Sequence, residues 1–189
     1  MLTGKALIIF SGGQDSTTCL YWALKNFGHG NVEAITFDYG QRHAYELAAA
    51  ADLAKSYGCQ HTVVNCDIPI LADNTSALLD HSRSLHEEAE PGPVASYVPA
   101  RNAIFLAYAL SIAEQLSIRD IFIGANADDK SNYPDCRPEF YAAFQAAARL
   151  SASDINLNIT APFAEYSKRD IVLLAKRLDV DIAETVSCY

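Results

Sequence analysis

Cysteine is sparse in this chain and badly spaced for cross-linking. Five cysteines stand at positions 19, 59, 66, 136 and 188. Their number is odd and no Cys-x-x-Cys pair occurs, which excludes a disulfide framework. Reduced thiols in a reducing compartment are the expectation for Cys19, Cys59 and Cys66. Basic charge is scarce too. The net charge is −9 and no run of Lys or Arg is present. A broad nucleic-acid face needs clustered cations, so that class is set aside. No apolar stretch reaches the length of a membrane span. Met1 to Lys5 carries no apolar signal region and leads straight into a strand pattern. A cytoplasmic enzyme is the expectation. Repeats and low-complexity segments are also lacking.

What is present is an ordinary globular balance, 50% apolar and 20% charged, over 189 residues. That length suits one domain, 1–189, with a full core. Strand and helix patterns alternate. Continuous apolar or β-branched runs predict strands at 6–10, 32–37, 61–64, 120–124 and 157–160. Between them, helices are predicted at 16–26, 42–57, 102–116, 138–150 and 167–178, with Gly58 stopping the second and Pro138 opening the fourth. The third is apolar enough to be expected buried on most sides. This alternation predicts an α/β fold, a doubly wound five-stranded parallel sheet that binds ligands at the C-terminal ends of its strands. The stretch 67–98 holds Pro69, Pro91, Gly92, Pro93 and many charges. It reads as an insertion after the third strand, a lid or a partner-contact segment.

The first strand runs directly into Ser11-Gly12-Gly13-Gln14-Asp15-Ser16. Glycines let backbone approach a phosphate, and N–H groups at a helix start point at an anion. Ser11, Ser16 and Thr17 add hydroxyls. The loop has no Lys, so it is not the Walker-type grip on β- and γ-phosphates. It also lacks the third glycine of a dinucleotide fingerprint. The plain alternative is a strand–helix turn capped by Ser16.

Ser-Gly-Gly-x-Asp-Ser resembles the pyrophosphate loop of the N-type ATP pyrophosphatases. The resemblance implies cleavage of ATP between its α- and β-phosphates, with pyrophosphate held as leaving group. It implies nucleotide contacts from Phe10, Ser11, Gly12, Gly13, Gln14, Asp15, Ser16, Thr17, Thr18, Cys19 and Leu20. Asp15 would help organise Mg²⁺, which prefers hard oxygen ligands.

Further stretches are similar to one branch, the 7-cyano-7-deazaguanine synthase family of the queuosine pathway. They are Thr36-Phe37-Asp38-Tyr39-Gly40-Gln41-Arg42-His43, Val98-Pro99-Ala100-Arg101-Asn102 and Tyr133-Pro134-Asp135-Cys136-Arg137-Pro138-Glu139-Phe140. The likeness runs over 6–189. It implies a ligase acting on a small deazaguanine carboxylate with ammonia and ATP, and it leaves a homodimer open.

Each motif falls at a strand end or a helix start, so all are expected to converge on one crevice. There Asp38, Tyr39 and Gln41 can meet polar edges of a base. Arg42 and Arg101 can neutralise phosphate or a carboxylate. Asn102 opens the buried helix, Tyr133 can stack on a heterocycle, and Asp135 with Arg137 can read a guanine-like face. Taken singly, Asp38 reads rather as a cap or turn residue and Arg42 or Arg137 as a surface ion pair; their joint placement favours the site. His43, His81 and His86 read as solvated. Lys168 sits at a helix start, where the dipole disfavours a cation unless an anion is near. It is either a pyrophosphate contact, as the resemblance implies, or a solvated side chain beside Asp170. Asp15, Ser16, Arg101 and Lys168 are the residues expected at the reacting atoms.

The synthase family carries a Cys₄ zinc site whose first ligand lies in a Ser/Thr-Cys-Tyr element, matched here by Ser187-Cys188-Tyr189. By that resemblance Cys188 is a Zn²⁺ ligand. One thiolate cannot close a tetrahedral site. The expectation is a zinc site incomplete within this chain, through truncation.

Overall fold

The computed structural model describes residues 2–41, 45–66, 76, 79, 96–153 and 156–186. Five strands form one sheet: β1 Ala6–Ile9, β2 Val32–Asp38, β3 Gln60–Asn65, β4 Asp120–Ile123 and β5 Asn158–Thr160. Their order is β3-β2-β1-β4-β5 and every pairing is parallel. The helices are α1 Gln14–Phe27, α2 Tyr45–Ser56, α3 Arg101–Gln115, α4 Asp129–Asn132, α5 Pro138–Ser151 and α6 Lys168–Leu178.

β1 is central and all four of its residues are buried, because helices cover both faces of the sheet. Side chains alternate across it. Leu7 and Ile9 join Ile35, Phe37, Ile121 and Ile159 on the face covered by Phe105, Leu106 and Ala109 of α3 and Tyr141 of α5. Ala6, Ile8 and Phe10 join Val32, Ala34 and Phe122 on the other face, against Leu20 and Leu24 of α1, Leu53 of α2 and Ile171 of α6. Burying one such Leu, Ile or Phe side chain stabilises the fold by about 1.5–3 kcal/mol.

From β1 the chain builds outward through β2 to β3. It then returns through α3 to place β4 on the other side of β1. The order reverses between β1 and β4, which opens a crevice at their C-terminal ends.

Three readings change. α1 begins at Gln14, not Ser16, so Gln14, Asp15 and Ser16 form its first turn. Its N-cap is Gly13, with no side-chain cap bond, so Ser16 does not cap it. α3 is buried along one stripe only, at Asn102, Phe105, Leu106, Ala109 and Ala113. Tyr108 is 40% exposed, because α3 packs against the sheet and no second layer covers its outer side within the described residues. The short α4 was not expected from the sequence. Arg42, His43, most of the stretch 67–98 with His81 and His86, and Cys188 lie outside the described residues.

Candidate active site

The crevice between the β1 and β4 ends has a volume of about 440 Å³. Its floor begins with Phe10, whose carbonyl accepts a 2.6 Å hydrogen bond from the Thr36 hydroxyl. Because Thr36 donates there, its oxygen accepts from His61 Nε2, 2.7 Å away. Burial lowers the His61 pKa.

The loop then folds on itself. Ser16 Oγ donates to Gly13 O at 3.0 Å and accepts from Ser11 N at 3.2 Å, while Ser11 Oγ accepts from Gly13 N at 3.3 Å. Gly12 has φ +79, and a Cβ there would stand 3.2 Å from the Ala50 backbone of α2. Gly124, at the end of β4, would bring a Cβ within 2.9 Å of Ser16 N and Cα. Two glycines from different loops thus let the start of α1 nest between α2 and β4. The first N–H groups of an α-helix have no partner inside the helix, so this nest is suited to an anion.

Asp15 is the charged centre. Its Oδ2 accepts from Lys168 Nζ at 2.5 Å and from Asn126 Nδ2 at 2.7 Å. Its Oδ1 is buried and has no hydrogen-bond partner among the described residues. The sequence left Lys168 between two roles. Asp170 is taken by Ser167 in a reciprocal capping box, with Ser167 N to Asp170 Oδ2 at 3.0 Å and Asp170 N to Ser167 Oγ at 3.2 Å. That cap starts α6 so that Lys168 reaches Asp15 instead. Burial pulls the Lys168 pKa down, but the hydrogen bond and charge of Asp15, with Asp129 and Asp128, outweigh it and hold it above the usual value.

Asn126 was missed by sequence reasoning. It is fully buried, and its Oδ1 accepts from Asp128 N at 2.8 Å and Asp129 N at 3.2 Å. Its own N–H donates to Asp129 Oδ2 at 3.0 Å. Burial raises the Asp129 pKa, against the opposing pull of the Asn126 N–H and Lys168. The one available signal was a polar Asn-Ala-Asp-Asp run, 126–129, directly after an apolar strand.

The other half of the crevice is aromatic. Phe37 and Phe105 stack at 4.2 Å. The Arg101 guanidinium lies 6.0 Å from the Tyr39 ring and 5.9 Å from the Phe105 ring, with Nη1 3.5 Å from the Tyr39 hydroxyl. Tyr133 bonds Ser96 through hydroxyls 2.7 Å apart and stacks with Tyr97 at 6.4 Å. Gln41 lines the wall while bracing its own turn, accepting from Tyr39 N at 2.9 Å and donating to Phe37 O at 3.2 Å.

Phe10, Ser11, Gly13, Gln14, Asp15, Ser16, Tyr39, Gln41, Arg101, Asn102, Tyr133 and Lys168 therefore share this crevice. Others stand apart. Thr17, Thr18, Cys19 and Leu20 are buried on the core side of α1, and burial pushes the Cys19 thiol up to about 12. Asp38 accepts from Gly40 N at 3.3 Å, a turn contact. Asp135 is buried and accepts from Asn102 N at 2.8 Å, tying the start of α3 to the 133–136 turn. Arg137 is exposed and its Nε donates to Lys130 O at 3.4 Å. Cys136 lines the crevice, and its thiol pKa is raised to about 12, chiefly by burial.

The donor set fits a hard cation bound mainly through phosphate. One buried carboxylate oxygen lacks a partner, and Mg²⁺ characteristically takes one or two protein carboxylates with phosphate and water. Zinc finds no such fit among the described residues, where no group of three His, Cys, Asp or Glu side chains converges.

A family model described as "Queuosine biosynthesis protein QueC" matches residues 5–189. Proteins named 7-cyano-7-deazaguanine synthase are similar along almost the whole chain. The one from Legionella pneumophila strain Philadelphia 1 is 47% identical, over 98% of this chain and 82% of its own length. The Rhodopirellula baltica protein is 45% identical, with 98% and 77% covered, and the Acinetobacter baylyi protein 43%, with 98% and 80% covered. Among solved structures, the U34-tRNA thiolase NcsA of Methanococcus maripaludis superposes with TM-score 0.59 at 18% identity, covering 98% of this chain and 61% of its own. A predicted tRNA methyltransferase subunit from Methanocaldococcus jannaschii gives 0.59 at 21% identity, covering 92% and 74%. Those two likenesses speak for the fold, while the near-complete match of model and relatives decides descent: this chain belongs to the QueC family of queuosine biosynthesis proteins.

Proposed function

We propose that the chain is an ATP-dependent ligase that converts 7-carboxy-7-deazaguanine and ammonia to 7-cyano-7-deazaguanine, as one domain over 1–189. The observation that carries this reading is the shared crevice. A phosphate-type loop with Asp15 and Lys168 faces an aromatic wall with Arg101 across one cavity. The first place suits the triphosphate, the second a flat heterocycle with a carboxylate.

The chemistry follows from these neighbours. A carboxylate oxygen of the substrate attacks the α-phosphorus of ATP and the bond to the β-phosphate breaks. The N-terminal turn of α1, Ser11, Ser16 and Lys168 hold the departing pyrophosphate charge. Ammonia adds to the acyl carbon, loses one proton and displaces AMP, leaving an amide. The amide oxygen then attacks a second ATP in the same way. Loss of AMP and two protons leaves the nitrile. Arg101 orients the carboxylate and Tyr133 the ring, so the protein's share is positioning and charge stabilisation. No covalent enzyme intermediate is required, and the raised Cys136 pKa keeps its thiol protonated. Mg²⁺, held by Asp15 and phosphate oxygens, would supply further charge neutralisation. Cys188 is proposed as one ligand of a Zn²⁺ site outside the described residues.

Both substrate carboxylate oxygens leave on phosphorus in this scheme. With doubly ¹⁸O-labelled carboxylate, mass spectrometry should find one ¹⁸O in each AMP and none in pyrophosphate. ADP and phosphate as products, or unlabelled AMP, would overturn the reading.

A further inference from the structure

We infer that Asn126 is the positioning residue that aims Asp15 at a phosphate-bound cation. This rests on the reading of the 11–16 loop as a pyrophosphate site. Asn126 does two separable things. Its Oδ1 accepts from Asp128 N and Asp129 N, a local turn that starts α4. Its Nδ2 reaches across 111 residues of sequence to Asp15 Oδ2, at 2.7 Å. The turn needs only the acceptor, so the amide donor serves Asp15.

The consequence lies in the second oxygen. Two donors sit on Asp15 Oδ2, and among the described residues Oδ1 is left buried with no partner. A buried carboxylate oxygen without a donor is costly unless a ligand completes it. Asp15 lines the crevice beside Ser11, Gly13 and Ser16, where an anion would sit. A carboxylate that lines an anion site suits a cation that bridges the two. No group of three metal-ligating side chains converges among the described residues. The cation would therefore rest on phosphate and at most two protein carboxylates, so the direction of Asp15 weighs heavily on its affinity.

Lys168 holds the same oxygen but is 56% exposed on a long, flexible side chain. Asn126 is 0% exposed, with both ends of its amide bonded, so it fixes the carboxylate plane while Lys168 adds charge. Partners that orient a metal ligand in this way are characteristically worth 10–100-fold in metal affinity.

The test is calorimetric binding of pyrophosphate to the full chain, with Mg²⁺ and with EDTA. Asn126→Ser keeps an oxygen to accept from Asp128 N and Asp129 N but loses the donor to Asp15. Asn126→Asp keeps the shape and the oxygen that accepts both N–H bonds, and turns the donor into a repelling oxygen. In both variants Mg-pyrophosphate should bind about 10–100-fold more weakly. Binding in EDTA should change less than about twofold, an amount worth only about 0.4 kcal/mol. Equal losses in both conditions would overturn the inference, since Asn126 would then only shape the loop. Wild-type affinity in either folded variant would overturn it as well. A wild-type chain that binds pyrophosphate in neither condition would instead refute the loop reading, and the inference with it. Should the Ser variant fail to fold, the isosteric Asp variant decides.

Discussion

At the scale of single residues the site is a balance of burial against charge, and Asp129 shows the sign of that balance. Burial raises its pKa above the ordinary 3.8, and the nearby Asp15 adds to the rise. The folded state therefore holds this proton more tightly than the unfolded chain. The contribution to stability is full below pH 3.8 and is lost as pH rises through the higher folded value. Above the folded pKa the ionised carboxylate costs stability. Asp129→Asn keeps an acceptor for Asn126 N and cannot ionise. In EDTA, thermal melts should show the variant more stable than wild type at pH 7, with the gain shrinking to nothing near pH 3.8. A gain that is constant with pH would mean that the carboxylate titrates normally in the fold.

At the scale of elements, helix ends carry more of the design than helix middles. α2, α3 and α6 all stop in the same paired-carbonyl motif. For α3, Ile118 N bonds Ala113 O at 2.7 Å and Ser117 N bonds Glu114 O at 3.2 Å. For α6, Val180 N bonds Ala175 O at 3.0 Å and Asp179 N bonds Lys176 O at 3.3 Å. The residue in the left-handed turn is Gly58 after α2, but Ser117 after α3 and Asp179 after α6. Asp179 is doubly unsuited, because a Cβ is strained at φ +61 and an anion faces the negative end of the helix dipole. Removing the left-handed strain gains roughly 1–2 kcal/mol, and the freedom of glycine in the unfolded chain takes back roughly half of that. Asp179→Gly should therefore stabilise by about 0.5–1 kcal/mol in urea melts, and Asp179→Ala should not.

This level is also where the sequence was most legible. Buried strands announce themselves as apolar runs, and Gly58 marked its stop, so the alternation and the sheet could be read directly. The burial of α3 was overread, since Ala107 and Ser111 are small enough to face solvent without penalty and composition alone does not say which side is covered. Asn126 and the Lys168 contact were not legible because each pairs with a residue more than a hundred positions away. Only the folded chain sets such pairs. Asp38 and Asp135 sit inside recognisable motifs, yet their bonds go to backbone N–H groups, a use that residue type alone does not reveal.

At the scale of the whole molecule, the site is assembled from both ends of the chain. Asp15 comes from the first βα turn, Asn126 from the fourth strand's end, Lys168 from the start of α6. A fourth contribution arrives from residue 186. Val186 N donates to Gly12 O at 3.1 Å, and Val186 lines the crevice. Gly12 stands at positive φ where a Cβ would crowd the Ala50 backbone, and its carbonyl belongs to the peptide that leads into the α1 N-terminus. The 180–186 segment thus braces the loop from outside, anchored by buried Val180 after α6. Val186→Pro removes this one donor. Thr185, with φ −78 and ψ 145, already has the conformation that a following proline demands, so the residue before the ring need not change. Losing a single hydrogen bond of about 0.5–1.5 kcal/mol should weaken pyrophosphate binding by roughly two- to tenfold. The melting temperature should barely move, because the contact lies at the crevice and not in either core layer. Calorimetry beside a thermal melt separates the outcomes. Unchanged affinity would show that the loop holds its shape without the brace, and a large fall in melting temperature would show that 180–186 belongs to the global fold and not to the site.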